Sequence, residues 1–260
     1  MTTSVNEDKD RTIIWLASYP RSGNTFLRIL IHALAYGDTD DSSDVEDRVP
    51  DLHYRTDARQ VPGATFIKTH YLARFHRHPW WGKTGGAIYL YRNPIDVAIS
   101  AMRYLGVNDL FPDERSEFIN NFATHCGVRA WSDYGFGTWN QHVTSWALAA
   151  QSVPVLFISY EDLTTSTPET LRRIARYLAL STPERRLDEI AARYTRDYCR
   201  QWEERERSGA VRDTIWRIGT SARFVSLGLG TVSREVPERF YSTFGNVAAM
   251  LGYSEFFEVC

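Results

Sequence analysis

Four short apolar runs rich in β-branched and aromatic residues punctuate the chain: Thr12–Ala17 (TIIWLA), Thr65–Lys68 (TFIK), Ala87–Tyr91 (AIYLY) and Val153–Ser159 (VPVLFIS). Near-continuous apolarity is what strands covered on both faces require, so these runs read as buried strands. Most are followed by helical periodicity. Phe26, Leu27, Leu30, Ala33 and Leu34 follow the first run, and Leu171, Ile174, Ala175 and Leu178 follow the fourth at i, i+3, i+4, i+7. Behind the third run, Asn93 suits an N-cap, Pro94 a first helical position and Asp96 the first turn. Strands alternating with helices predict an α/β domain, a largely parallel sheet flanked by helices on both faces.

Two stretches break this rhythm. Asp38–Asp51 (DTDDSSDVEDRVPD) is acidic and poor in apolar residues, which predicts a mobile loop reaching to about residue 63. Its sharper reading is a lid over an acceptor site. Residues 201–235 mix Arg, Gly and Ser with few core positions, and are expected to form a second long loop. Residues 1–11 read as a polar tail and 12–260 as one domain, in keeping with 260 residues of ordinary globular composition. The net charge of −2 gives no global attraction to nucleic acid or an anionic membrane, so any anion binding must be local. Three scattered cysteines without a CxxC pair argue against a disulfide framework or a zinc site. Residues 1–11 lack an apolar signal core, and no apolar stretch is long enough to span a bilayer, so a cytoplasmic protein is expected. The oligomeric state stays open, a homodimer included.

The first run leads directly into Ser18-Tyr19-Pro20-Arg21-Ser22-Gly23-Asn24-Thr25, with a helix behind it. A strand, a turn of small residues and a helix N-terminus form an anion cradle, because free amides and the helix dipole point the same way. Ser22, Asn24 and Thr25 add short polar groups, and Arg21 adds a charge. The turn is P-loop-like but departs from GxxxxGK[ST], since Ala17 holds the first glycine position and Asn24 follows Gly23 where Lys would stand. Without that Lys the turn is poorly equipped for a metal-bound triphosphate, yet it suits a smaller anion. An ordinary strand–helix turn is the plainer alternative.

Arg92 closes the third run, and Ser100 lies two turns into the next helix. An Arg at the carboxyl end of a parallel strand faces the crevice where α/β sheets bind ligands, and Arg plus a hydroxyl grips phosphate well. Pairing of Arg92 with Asp96 is an equal alternative. His70 follows the second run and would face the same crevice, where an imidazole with a pKa of about 6.5 suits a general base. A lone His is more often structural. Lys68, two residues earlier, would point to the same region and neutralise a leaving group.

These pieces, in this order, resemble the PAPS-dependent sulfotransferases of the cytosolic type, including bacterial enzymes that decorate natural products (PAPS is 3′-phosphoadenosine-5′-phosphosulfate). Ser18–Phe26 (SYPRSGNTF) resembles that family's 5′-phosphosulfate motif, Lys68-Thr69-His70 its KTH motif, and Arg92–Ser100 its RNPxDVxxS motif for the 3′-phosphate. Gly137–Trp146 and Val155–Leu163 resemble its WxxHVxxW and YEDL stretches. The resemblance implies a PAPS donor and no metal. It places Arg21, Ser22, Gly23, Asn24 and Thr25 at the 5′-phosphosulfate, Arg92 and Ser100 at the 3′-phosphate, and Tyr160 near the adenine. His70 would take the proton of an acceptor hydroxyl or amine, Lys68 would hold sulfuryl oxygens, and Arg21 would meet the leaving phosphate. A small-molecule acceptor, a natural product, is expected.

Departures also matter. The family usually has Lys at Arg21 and Trp at Phe26. Its carboxy-terminal RKG element matches only weakly, as Phe224–Gly230, with Gly228 aligned by its glycine and Arg223 or Arg217 as the replacement charge. That gap motivates a non-catalytic nucleotide-binding module as an alternative, and the turn motivates a kinase. His142 reads as a packing residue. His76 and His78 read as a surface loop or acceptor wall, and Trp80, Trp81, Phe136 and Trp139 as core or acceptor lining.

Overall fold

The computed structural model describes residues 12–53, 65–74, 78, 80–106, 112–199, 201 and 235–253. Strands β1 (Ile13–Ser18), β2 (Phe66–Thr69), β3 (Thr84–Tyr91) and β4 (Val155–Ser159) form one sheet in the order β2-β1-β3-β4. Every neighbouring pair is parallel, with Trp15 opposite Ile67 and Ala87, and Tyr89 opposite Phe157. All four predicted strands are present, shifted by a residue or two, and β3 begins earlier because Thr84–Gly86 extend its pairing with β1.

Alternate residues of the strands feed two separate cores. Trp15, Ala17, Ile67 and Tyr89 pack beneath α3 (Pro94–Tyr104), α4 (Pro112–Thr124), α6 (Trp139–Ala149) and α10 (Glu235–Met250). Leu16, Phe66, Ile88 and Ile158 pack beneath α1 (Asn24–Ala35), α8 (Thr167–Tyr177) and α9 (Glu184–Arg193). Helices therefore cover both faces, which is why the strands carry apolar residues at almost every position. Two short helical turns, α5 (Arg129–Trp131) and a wide turn over Ser132–Phe136, lead into α6, and α7 (Tyr160–Thr165) follows β4 directly.

The acidic stretch after α1 corrects the expectation of a mobile loop. Ser42–Arg48 form helix α2, capped by Asp41, which accepts from the Ser43 amide at 2.9 Å. Acidic residues in and just before the helix meet arginines from elsewhere. Glu46 pairs with buried Arg28 at 2.8 Å, Asp38 with Arg186 at 2.7 Å and Asp40 with Arg193 at 2.9 Å. Residues 50–52 then join the sheet beside β2, with the Lys68 amide donating to the Pro50 carbonyl at 2.9 Å and the Leu52 amide to the Lys68 carbonyl at 3.0 Å. Residues 54–63 and 202–234, where the rest of the two loops was expected, lie outside the described residues.

That edge carries a buried ion pair. Lys68 Nζ lies 2.5 Å from Asp51 Oδ2, and both side chains are almost wholly enclosed. Burial alone would raise the Asp51 pKa, but Lys68 and Arg28 hold it below the usual carboxylate range. The pair's stabilisation is thus present above the ordinary carboxylate range and lost as pH falls through it. Removing one partner leaves the other charge buried and unmatched, which costs about 3–5 kcal/mol. Asp51→Asn should therefore lower unfolding free energy by about 3 kcal/mol in urea titration at neutral pH; an unchanged midpoint would show that the charge is compensated elsewhere.

Candidate active site

The carboxyl ends of the strands deliver every central group to one edge of the sheet. β1 ends at Ser18 and turns through Arg21–Gly23 into α1; β2 ends at Thr69, just before His70; β3 ends at Tyr91, just before Arg92; β4 ends at Ser159, just before Tyr160. Ligands of open α/β sheets bind outside these ends.

The turn itself is held by backbone conformation. Gly23 is the N-cap of α1 at φ 97° and carries no side-chain oxygen, which leaves first-turn amides to an outside acceptor. A Cβ at Gly23 would come within 2.3 Å of the Tyr160 ring, so only glycine allows the ring to close over the turn. Arg21 is also left-handed, at φ 70°, a strained choice for a residue with a side chain. Asn24 turns inward: its Nδ2 donates to the Leu16 carbonyl and to Ser18 Oγ, each at 2.9 Å. Its side chain braces the end of β1 and does not line the cradle as expected.

Arg92 is 2% exposed, with its guanidinium 4.3 Å from the Tyr160 ring centre and Nη1 donating to the Arg21 carbonyl at 3.3 Å. It makes these contacts instead of an ion pair with Asp96. The α3 N-terminus behind it forms as expected, with Asn93 Oδ1 accepting from the Ile95 amide at 2.9 Å. Arg21 reaches the same place: Nε donates to Ser100 Oγ at 3.2 Å, and the guanidinium lies 4.6 Å from the Tyr104 ring centre. Its side chain therefore sits at the Arg92–Ser100 end of this edge. The left-handed backbone at Arg21 is part of the same turn geometry.

Lys68 departs from expectation too. Its ammonium is committed to Asp51, and burial draws its pKa down against that carboxylate's field. It contributes positive field beneath His70.

His70 is held at three points. Its Nδ1–H donates to the Ser18 carbonyl at 2.7 Å, its amide donates to His53 Nε2 at 2.7 Å, and its carbonyl accepts from His142 Nε2–H at 3.0 Å. The first bond puts the ring proton on Nδ1, so Nε2 keeps the lone pair in the neutral ring. Burial first, then the charges of Lys68 and His53, hold its pKa well below the ordinary value. His142 is locked in turn, because Tyr89 O–H donates to its Nδ1 at 2.9 Å, and burial lowers its pKa to about 3. His142 thus packs, as expected, and also fastens the His70 peptide. His53 was not singled out from the sequence, since a lone His before an unpatterned stretch carries no signal.

Beside His70 lies an aromatic wall. Phe136 is 5.8 Å from its ring centre, Tyr71 packs on Phe136 at 5.7 Å, and Tyr134, 69% exposed, extends the surface outward. Trp139 is buried in the core, and His78 is enclosed by Trp15, Tyr71, Trp81 and Trp146. His76, Arg217, Arg223 and Gly228 lie outside the described residues.

The residues present fit a doubly anionic nucleotide. Ser22 Oγ and Arg92 Nε are buried at this edge without a hydrogen-bond partner, and such groups are costly unless a ligand satisfies them. These groups and the α1 amides lie at one edge, with the Tyr160 ring against both Gly23 and Arg92.

A four-stranded parallel sheet covered by helices on both faces, with this turn after β1, makes the fold an α/β scaffold of the P-loop-like class. The chain belongs to the sulfotransferase family: residues 11–216 match the model of the sulfotransferase domain. It is 24% identical over 188 residues to rat sulfotransferase 1A1 and 27% identical over 191 residues to dog sulfotransferase 1B1, matching 67% and 68% of this chain. In each case the match spans 62% of the relative's length. Among solved structures, mouse sulfotransferase SULT7A1 complexed with PAP superposes with a TM-score of 0.59 at 20% identity, covering 97% of this chain and 91% of that one. Retinol dehydratase in complex with androsterone and the inactive cofactor PAP superposes with a TM-score of 0.60 at 17% identity, over 90% of this chain and 81% of that one. These likenesses support the fold. Among the described residues no helix is long and apolar enough to cross a membrane.

Proposed function

We propose that this chain is a PAPS-dependent sulfotransferase that moves a sulfuryl group to a hydroxyl or amine of a small-molecule acceptor, a natural product, with His70 as general base. The observation that carries this reading is the pair of buried, unpartnered donors, Ser22 Oγ and Arg92 Nε, at one strand-end cradle. Bound PAPS would supply the sulfuryl group and a phosphate leaving group. Ser22, Gly23, Asn24 and Thr25 would hold its 5′ side through the α1 N-terminus, and Asn24 and Thr25 would act there through their amides. Arg92 and Ser100, joined by Arg21, would hold the 3′-phosphate, and Tyr160 would flank the adenine. Family membership and the androsterone found in a structural neighbour support a small organic acceptor.

The chain's own part in the reaction is positioning and charge. His70 Nε2 takes the acceptor proton while Nδ1–H stays on Ser18. The Lys68 charge lies beneath the site, and the aromatic residues Phe136, Tyr71 and Tyr134 would offer the acceptor an apolar wall. A positively charged, preorganised site of this kind favours a transfer in which negative charge grows on the leaving group.

Calorimetry with PAP, 5′-AMP and ATP, each with and without Mg²⁺, tests the assignment. PAP should bind at least about tenfold more tightly than 5′-AMP, the least a charge-assisted 3′-phosphate contact should yield, and metal should make no difference. Preference for Mg-ATP would instead support a kinase. Tight PAP binding without sulfuryl transfer to any phenol or alcohol would support a non-catalytic module.

A further inference from the structure

We propose that His53 is a positioning residue for His70, holding its peptide and ring so that Nε2 faces the acceptor. The inference rests on reading His70 as the base. β2 ends at Thr69, so the His70 amide has no strand partner, and His53 Nε2 accepts it at 2.7 Å. The two imidazoles lie nearly parallel, 12° apart, with ring centres 5.4 Å from one another. His53 is itself fixed: its amide donates to Asp51 Oδ1 at 3.0 Å, and its ring meets Tyr71 edge-on at 4.6 Å and Phe136 at 4.9 Å. The Asp51 that neutralises Lys68 through Oδ2 thus places His53 through Oδ1.

The arrangement works for one protonation state only. To accept the amide, His53 must be neutral with its proton on Nδ1. Protonated His53 would turn an N–H toward the His70 N–H and break the clamp. The titratable and charged groups around it are Asp51 on its own segment and Lys68, His70, Tyr71 and His78 from β2 and beyond. Burial lowers its pKa to about 4 despite the opposing Asp51, with Lys68 and His78 adding to the shift, so it is neutral at physiological pH. The folded value lies below the ordinary one, so acid between the two favours the opened or unfolded state, which binds the proton more readily.

Histidine side-chain ¹⁵N NMR on the PAP-saturated protein tests this without an acceptor. Wild type should show His70 as the Nδ1–H tautomer, and its amide should shift in step with His53 protonation on acid titration. His53→Phe, which keeps a ring but no acceptor, should lose the single tautomer and reduce kcat with 4-nitrophenol about tenfold to a hundredfold, with KM and PAP affinity within about twofold. His53→Gln, whose amide oxygen can accept the same N–H, should recover most of both. A single Nδ1–H tautomer in His53→Phe, wild-type kcat in that variant, or His70 titrating independently of His53 in wild type would overturn the proposal. Turnover surviving in His70→Ala would instead remove the base reading, and the tautomer measurement would still decide whether His53 orients His70.

Discussion

Replacing His70 with alanine is expected to lower turnover by about a hundredfold to ten-thousandfold, the range for a positioned acid–base group, while PAP affinity changes less than about twofold. The separation follows from the geometry. His70 meets Ser18, His53 and His142, but none of the buried donors of the anion cradle, so its loss should leave donor binding alone. Its pH behaviour has a definite sign. Because burial, and next the Lys68 charge, depress its pKa, the ring is already neutral where an exposed imidazole would be titrating. The acid limb of kcat/KM should therefore lie well below the ordinary imidazole value of about 6.5, and activity should be flat across neutral pH. A limb centred near the ordinary value, or turnover unchanged in the variant, would remove His70 as the base.

The second large effect is expected at Arg92. Arg92→Ala should weaken PAP binding by about 1.5–3 kcal/mol, or roughly tenfold to a hundredfold, the usual scale for a hydrogen bond to a charged group. The affinity for 5′-AMP, which lacks the 3′-phosphate, should change far less. Arg92→Lys keeps the charge but loses the planar fork and its stacking on Tyr160, so it should recover only part of the loss. Arg21→Ala should act in the same sense as Arg92→Ala, because Arg21 shares Ser100. Equal losses for PAP and 5′-AMP on removing either arginine would move both residues to the 5′ side and overturn the assignment of this end.

Much of this was legible along the chain. The strands announced themselves because both faces of the sheet are covered, so apolar residues run nearly unbroken through Ile13–Ala17 and Ala87–Leu90. The α3 start was legible because a cap needs only local neighbours, Asn93 and Ile95. The acidic stretch that holds helix α2 was misread for the opposite reason. Its residues look like a solvated loop until Arg28 is brought to Glu46 in the helix and Arg186 and Arg193 to Asp38 and Asp40 just before it, and the last two arginines lie about 150 residues away in sequence.

The same division runs through the site. That the turn after β1, the Lys-Thr-His strand end and the Arg92 strand end exist, and in what order, can be read along the chain, because each is a local pattern of a few adjacent residues. Where their side chains go depends on the fold. Arg21 crosses to Ser100, Lys68 is taken by Asp51, Asn24 turns back onto β1, and His53 arrives beside His70. The physical reason is that charge and hydrogen-bond partners are chosen by proximity in space, and a parallel sheet makes neighbours of strand ends that the chain keeps far apart.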